Sequence, residues 1–287
     1  MKRVSAILRD AQPHWVGDGF PVRSVLSHHQ HGAAISPFLL LDYAPPFHFP
    51  PTDQPRGVER HPHRGFETVT IVYQGGLAHR DSAGHSGVIG PGDVQWMTAA
   101  SGVLHEEFHE PGYAARGGIF QVAQLWVNLP ARFKMSPPGY QTLLAADIPK
   151  VELADAGGVV HVIAGAFAGV RGPARTFTPV SVWNMRLRGG AAVTAAVPDG
   201  HMAGALIVAG RVRVGSSEVA SEAEFVLWDR AGQDASVTAL EESTVLFLAG
   251  EPIDEPVAAR GPFVMNTADE IQQAIRDYQS GKMGQMD

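Results

Sequence analysis

Short apolar runs cut by glycine and proline constrain this chain more than any other feature. The runs at 68–73 (TVTIVY), 121–127 (QVAQLWV), 205–208 (ALIV), 225–228 (FVLW) and 244–248 (TVLFL) are rich in β-branched and aromatic residues. Such residues fit a pleated, half-buried surface, and turn-forming residues bound each run, so each predicts a strand. With 32 Gly and 21 Pro in 287 residues, few stretches are free of helix breakers. Many short strands joined by tight turns predict an all-β sandwich or barrel. One helix stands out near the end, over 268–278. Asn266 or Thr267 caps it, Glu270 completes a capping box, and Ile271, Ala274, Ile275 and Tyr278 share one face. Gly281 ends it. A weaker helix is expected at 142–146.

The sequence MSPPG at 135–139 cannot continue a central strand, so a domain boundary is placed there. This gives a first domain over 1–135, a linker and second domain over 136–265, and a helical tail over 266–287. The two halves read as degenerate copies, each with a strand running through glycine into another strand. Aligning Gly75 with Gly210 sets Ala196 opposite His61 and Pro198 opposite His63. Neither Ala196 nor Pro198 can bind metal through its side chain, so the second copy is expected to hold none.

Six of thirteen histidines lie between 61 and 109. Alternate side chains of a strand share a face. His61 and His63 therefore point one way, as do His105 and Glu107. If the two strands oppose each other, three imidazoles and a carboxylate meet. That set suits one divalent first-row metal such as Fe(II), Mn, Co, Ni or Zn, with positions open for chemistry. Glu67, four residues after His63, is the alternative carboxylate, although Gly65 between them can mark a bulge that re-aims it. His79, His85 and His109 are read as structural, as is the cluster His28, His29 and His31 in an N-terminal loop.

Other classes are disfavoured. A formal net charge of -7 is a poor basis for direct nucleic-acid binding. Arg186, Arg188, Arg211 and Arg213 read as solvated strand positions. The absence of cysteine excludes disulfides and thiolate sites. No run approaches a membrane span, and Asp10 interrupts the N-terminal stretch before a signal-peptide core can form. A cytoplasmic location is the expectation.

A His-x-His strand, an acidic residue, a glycine turn, Pro-Gly-Asp and a later histidine form the cupin pattern. Four blocks go further. HPHRGFETVT, GDVQWMTAASGVLHEE, QLWVNLP and GEPIDEPVAARGPFVMNT closely resemble the pirin family, and they span both halves. The resemblance implies two tandem cupin barrels (a jelly-roll, or double-stranded β-helix) with a short C-terminal helix and metal in the first barrel alone. It implies His61, His63, His105 and Glu107 as ligands, and Fe(II) as the usual ion, with Mn, Co, Ni, Zn or Cu as substitutes. It further implies quercetin 2,3-dioxygenase chemistry, in which O2 opens a polyphenol and Glu107 takes the substrate's proton. Pirins are also interaction proteins, so the resemblance carries an alternative: a non-enzymatic, redox-sensing regulator that binds a transcription factor or a metabolic enzyme.

Overall fold

In the computed structural model, which describes residues 1–286, the chain forms two compact bodies that are discontinuous in sequence. Among the described residues one comprises 13–24, 38–145 and 253–286; the other comprises 1–12, 25–37 and 146–252. A cut at residue 135 with a separate tail does not capture this partition. Val4–Leu8 hydrogen-bonds to Phe225–Trp228 and so belongs with the second body. The helix Ala268–Gln279 buries Ile271 and Ala274 against Leu104, Phe263, Met265 and Met283, all of the first body.

Both bodies follow one plan. In the first, a seven-stranded sheet runs in the order Gly139–Leu143, Val94–Thr98, Phe66–Gln74, Gly118–Asn128, Phe38–Phe49, Phe20–Ser27, Pro13–Val16. Facing it is a four-stranded sheet of Gly57–His63, Val103–His109, Leu77–Asp81 and Ser86–Ile89. In the second, the large sheet runs Val4–Leu8, Phe225–Trp228, Met202–Ala209, Ser243–Gly250, Val180–Leu187, Gly158–Ala164, Lys150–Glu152. Its four-stranded sheet is Ala192–Ala196, Asp234–Ala239, Arg211–Val214 and Glu218–Ser221. Phe66–Gln74 reaches Leu77–Asp81 through Gly75, and Met202–Ala209 reaches Arg211–Val214 through Gly210. Both glycines have positive φ, 91° and 78°, which a side chain would strain. The copies suspected from the sequence are thus matched strand for strand.

Their interiors differ. The second body is filled from both sheets by Val160, Trp183, Val193, Val212, Val237 and Phe247 among others, in one apolar cluster. The first has a smaller apolar cluster around Phe20, Phe49, Leu77, Ile89, Phe120 and Val122, and it also buries the polar side chains of His63, Thr70, His79, His105 and Glu107. Where Asp234–Ala239 turns Ala235, Val237 and Ala239 inward, Val103–His109 buries His105, Glu107 and His109.

Two local readings are corrected. Residues 142–146 do not form a helix: Gly139–Leu143 is a strand paired with Val94–Thr98, which otherwise would leave a row of edge groups unbonded. The 28–31 cluster is a single helical turn rather than a loop.

Candidate metal centre

Gly57–His63 and Val103–His109 are antiparallel neighbours, with His105 opposite His61 and Val103 opposite His63. A register shift between His105 and Glu107 lets the second strand bend as the two run together. The pairing puts His61, His63 and His105 in one place, each offering a nitrogen within 4.8 Å of the others. Their ring centroids are 4.3 to 4.8 Å apart. His63 and His105 are buried and His61 half-buried.

The donor atoms fit a metal. His61 Nδ1 donates to the Glu59 carbonyl at 2.8 Å, since a carbonyl can only accept. Its Nε2 therefore carries a lone pair, and it lies 3.1 Å from His63 Nε2. Two nitrogens each about 2.1 Å from one ion, at a right angle, lie about 3.0 Å apart. His105 Nε2 is buried with no hydrogen-bond partner, an orphan that a metal would satisfy. Burial, reinforced by neighbouring imidazoles, pushes the pKa values of His63 and His105 well below the usual range. Both are neutral and able to ligate.

Glu107 joins a second trio with His105 and His79. Its oxygens accept from Thr70 Oγ1 at 3.3 Å and from Gln124 Nε2 at 2.9 Å. Thr70 and Gln124 are cross-strand partners in the large sheet, so both sheets contribute to the site. The sequence reading overlooked both residues and set His79 aside as structural. Gln124 interrupts an apolar run, but only the strand register shows that His79 pairs with Glu107.

Glu67 lies elsewhere. The chain breaks between Gly57–His63 and Phe66–Gln74 at Gly65, whose φ is 90° and where a Cβ would lie 1.9 Å from the Val264 carbonyl oxygen. Glu67 then falls on the face opposite Thr70 and accepts from Thr98 Oγ1 at 2.7 Å. Burial raises its pKa to about 7 against the pull of Thr98 and Trp96. His109 also stands apart. It packs among Phe49, Phe120 and Tyr113, and its Nε2 donates to the Gly19 carbonyl at 2.9 Å. Asn128 is buried and accepts from Lys134 Nζ at 2.6 Å. Phe66 and Trp126 wall the imidazoles, with ring centroids 5.1 and 5.3 Å from His63.

Known proteins share this architecture. The Pirin family model matches residues 19–127, and the Pirin C-terminal cupin domain model matches 182–284. A Pseudomonas aeruginosa protein named "Putative quercetin 2,3-dioxygenase PA2418" is 52% identical over 98% of each chain. Pirin-like protein 2 of Arabidopsis thaliana is 41% identical, over 93% of this chain and 81% of its own. The crystal structure of quercetin 2,3-dioxygenase from Acinetobacter baumannii superimposes with a TM-score of 0.96 at 48% identity, covering 99% of both chains. The fold is a pair of cupin-type domains.

Proposed function

The chain belongs to the pirin family, and on that footing we propose that it is a metal-dependent dioxygenase that opens flavonols such as quercetin with O2. The convergence of His61, His63 and His105 on one point, with His105 Nε2 buried and unpartnered, carries the reading. The names of the Pseudomonas and Acinetobacter relatives support the substrate class.

In this reading the three imidazoles, with Glu107 beside His105, would hold one Fe(II). When bound, the metal supplies Lewis acidity and a partner for O2. The protein's own groups do the rest. Three neutral nitrogens and one carboxylate leave the centre with a charge near plus one, which favours a polyphenolate over a neutral phenol. Glu107 is the base that accepts the hydroxyl proton of the substrate. Thr70 and Gln124 hold its two oxygens from the opposite sheet, so the carboxylate is aimed before substrate arrives. Phe66 and Trp126 offer an apolar wall to a flat ring. The protein works in the cytoplasm, where Fe(II) persists and a cysteine-free chain needs no oxidising compartment.

Oxygen uptake with quercetin tests the proposal. Fe(II)-loaded protein is expected to turn over well above free Fe(II), and His61→Ala and Glu107→Ala are expected to fall to the free-metal rate. Wild-type turnover no faster than free metal would overturn the enzymatic reading and favour the regulatory role.

A further inference from the structure

Behind His105, away from the other two imidazoles, lies a chain of buried side chains that the metal set does not use. Asp81 is the far end. It is buried, and its Oδ1 accepts from the backbone amides of Ala83 at 2.9 Å and His85 at 3.0 Å. Its Oδ2 faces His79 Nε2 at 3.6 Å and His85 Nδ1 at 3.1 Å. Burial would raise the Asp81 pKa, but the N–H groups of His79 and His85 turned toward it outweigh burial and hold the carboxyl below its ordinary range. His79 is buried and stacked on Tyr140, with centroids 5.0 Å apart and planes 17° apart. Its other nitrogen, Nδ1, lies 3.4 Å from His105 Nδ1.

The roles of these atoms follow from one another. At 3.6 Å the Asp81 carboxylate is too far for a hydrogen bond to His79 Nε2, but it repels a lone pair and attracts an N–H, so the His79 nitrogen facing it carries the proton. A neutral imidazole with its proton on Nε2 presents a lone pair at Nδ1. The atom opposite, His105 Nδ1, must then donate. That leaves His105 Nε2 bare, consistent with its being one of the buried nitrogens with no hydrogen-bond partner among the described residues.

We propose that His79, oriented by Asp81 and Tyr140, is a positioning residue that fixes the tautomer of His105 so that Nε2 faces the metal. The inference rests on the metal reading of the same site and adds a residue to it. Fixing the ligand's outer nitrogen sets ring orientation and raises donor strength, and loss of such a partner typically weakens metal binding about 10–100-fold.

The test reads the tautomer directly. Two-bond 1H–15N correlation spectra of the metal-free, 15N-histidine-labelled full chain are expected to show His105 protonated at Nδ1 and bare at Nε2. Adding Zn(II), a diamagnetic probe, is expected to shift nitrogens of His61, His63 and His105 as ligands and leave His79 without a metal-bound nitrogen. In His79→Phe the stack on Tyr140 is kept and both nitrogens are lost. His105 is then expected to populate both tautomers, with a Zn(II) dissociation constant at least tenfold higher and an unchanged circular dichroism spectrum.

A proton on His105 Nε2 in the metal-free wild type would overturn the proposal. So would a metal-bound nitrogen at His79, which would make it a ligand, or a folded His79→Phe that keeps both tautomer and affinity. The wild-type spectra decide the matter if the variant does not fold. Failure of the wild type to bind Zn(II) or Fe(II) would instead count against the metal centre itself, separately from the tautomer seen without metal.

Discussion

Glu67 and Glu107 are both buried carboxylates, and strand geometry gives them different fates. Glu107 lies beside His105 and is held by Thr70 and Gln124, whereas Glu67 meets a threonine on the other face of its sheet. Its folded-state pKa of about 7 stands above the ordinary 4.5. The folded chain therefore keeps a proton that the unfolded chain releases between those values. The stability tied to that proton is full below about 4.5 and is lost as pH rises through about 7. Relative to Glu67→Gln, the metal-free wild type is expected to lose about 1–3 kcal/mol between pH 4.5 and 7.5. Urea unfolding of both proteins at the two pH values measures this, and a constant difference would refute it. Lys134 makes a second residue-level case. It is fully buried, and its ammonium donates to Gly65 O, Asn128 Oδ1 and Val264 O at 2.7, 2.6 and 3.0 Å. Lys134→Met strands three acceptors and is expected to cost about 2–4 kcal/mol in denaturant melts. His61, His63, His105 and Glu107 could be picked out as candidates because ligand spacing is written along single strands, and the structure brings the three imidazoles together with Glu107 beside His105. Thr70, Gln124 and His79 could not, because their relation to Glu107 exists only across strands whose register the sequence does not spell out.

The helix Ala268–Gln279 shows what local sequence does encode. Thr267 Oγ1 accepts from the Glu270 amide, and the Glu270 carboxylate accepts from the Thr267 amide, a closed capping box. Both partners lie within one turn, so the motif can be read without tertiary knowledge. Thr267→Ala is expected to cost about 1 kcal/mol. Its docking was not legible. Asp277 is buried and pairs with Arg64 at 2.9 Å, 213 residues away. Arg64 directly follows His63, so the helix steadies the strand that carries two of the imidazoles. Asp277→Ala leaves a buried guanidinium without its carboxylate and is expected to cost about 3–5 kcal/mol, well beyond the cap. Thermal melts of the two variants rank the effects, and an equal shift in both would contradict the argument. The 139–143 strand escaped detection for the opposite reason. Its identity comes from pairing with Val94–Thr98, while its own residues, following two prolines, carry little alternation.

Two copies of one topology have diverged by filling. The second body closes its interior with Val, Ala, Trp and Phe; the first gives up part of that apolar volume to imidazoles, threonines and a glutamine. Metal binding should therefore stabilise one body selectively, by about 2.7 kcal/mol at a hundredfold excess over the dissociation constant. Hydrogen exchange is expected to slow on Zn(II) addition in Gly57–His63 and Val103–His109 and to remain unchanged in Ala192–Ala196 and Asp234–Ala239. Equal protection in both pairs would argue against a single centre in the first body. The duplication was visible in the strand-glycine-strand repeats. The exchange of terminal segments was not, because no periodicity reveals which strand edge a distant segment will cover.

That exchange orders events during synthesis. Leu104 emerges from the ribosome long before Ile271 and Met283, the residues that bury it. Until they follow, the body holding His61, His63 and His105 lacks part of its core, even though its histidines have already been translated. A metal delivered to the polypeptide before those residues are made would meet a body still lacking part of its core.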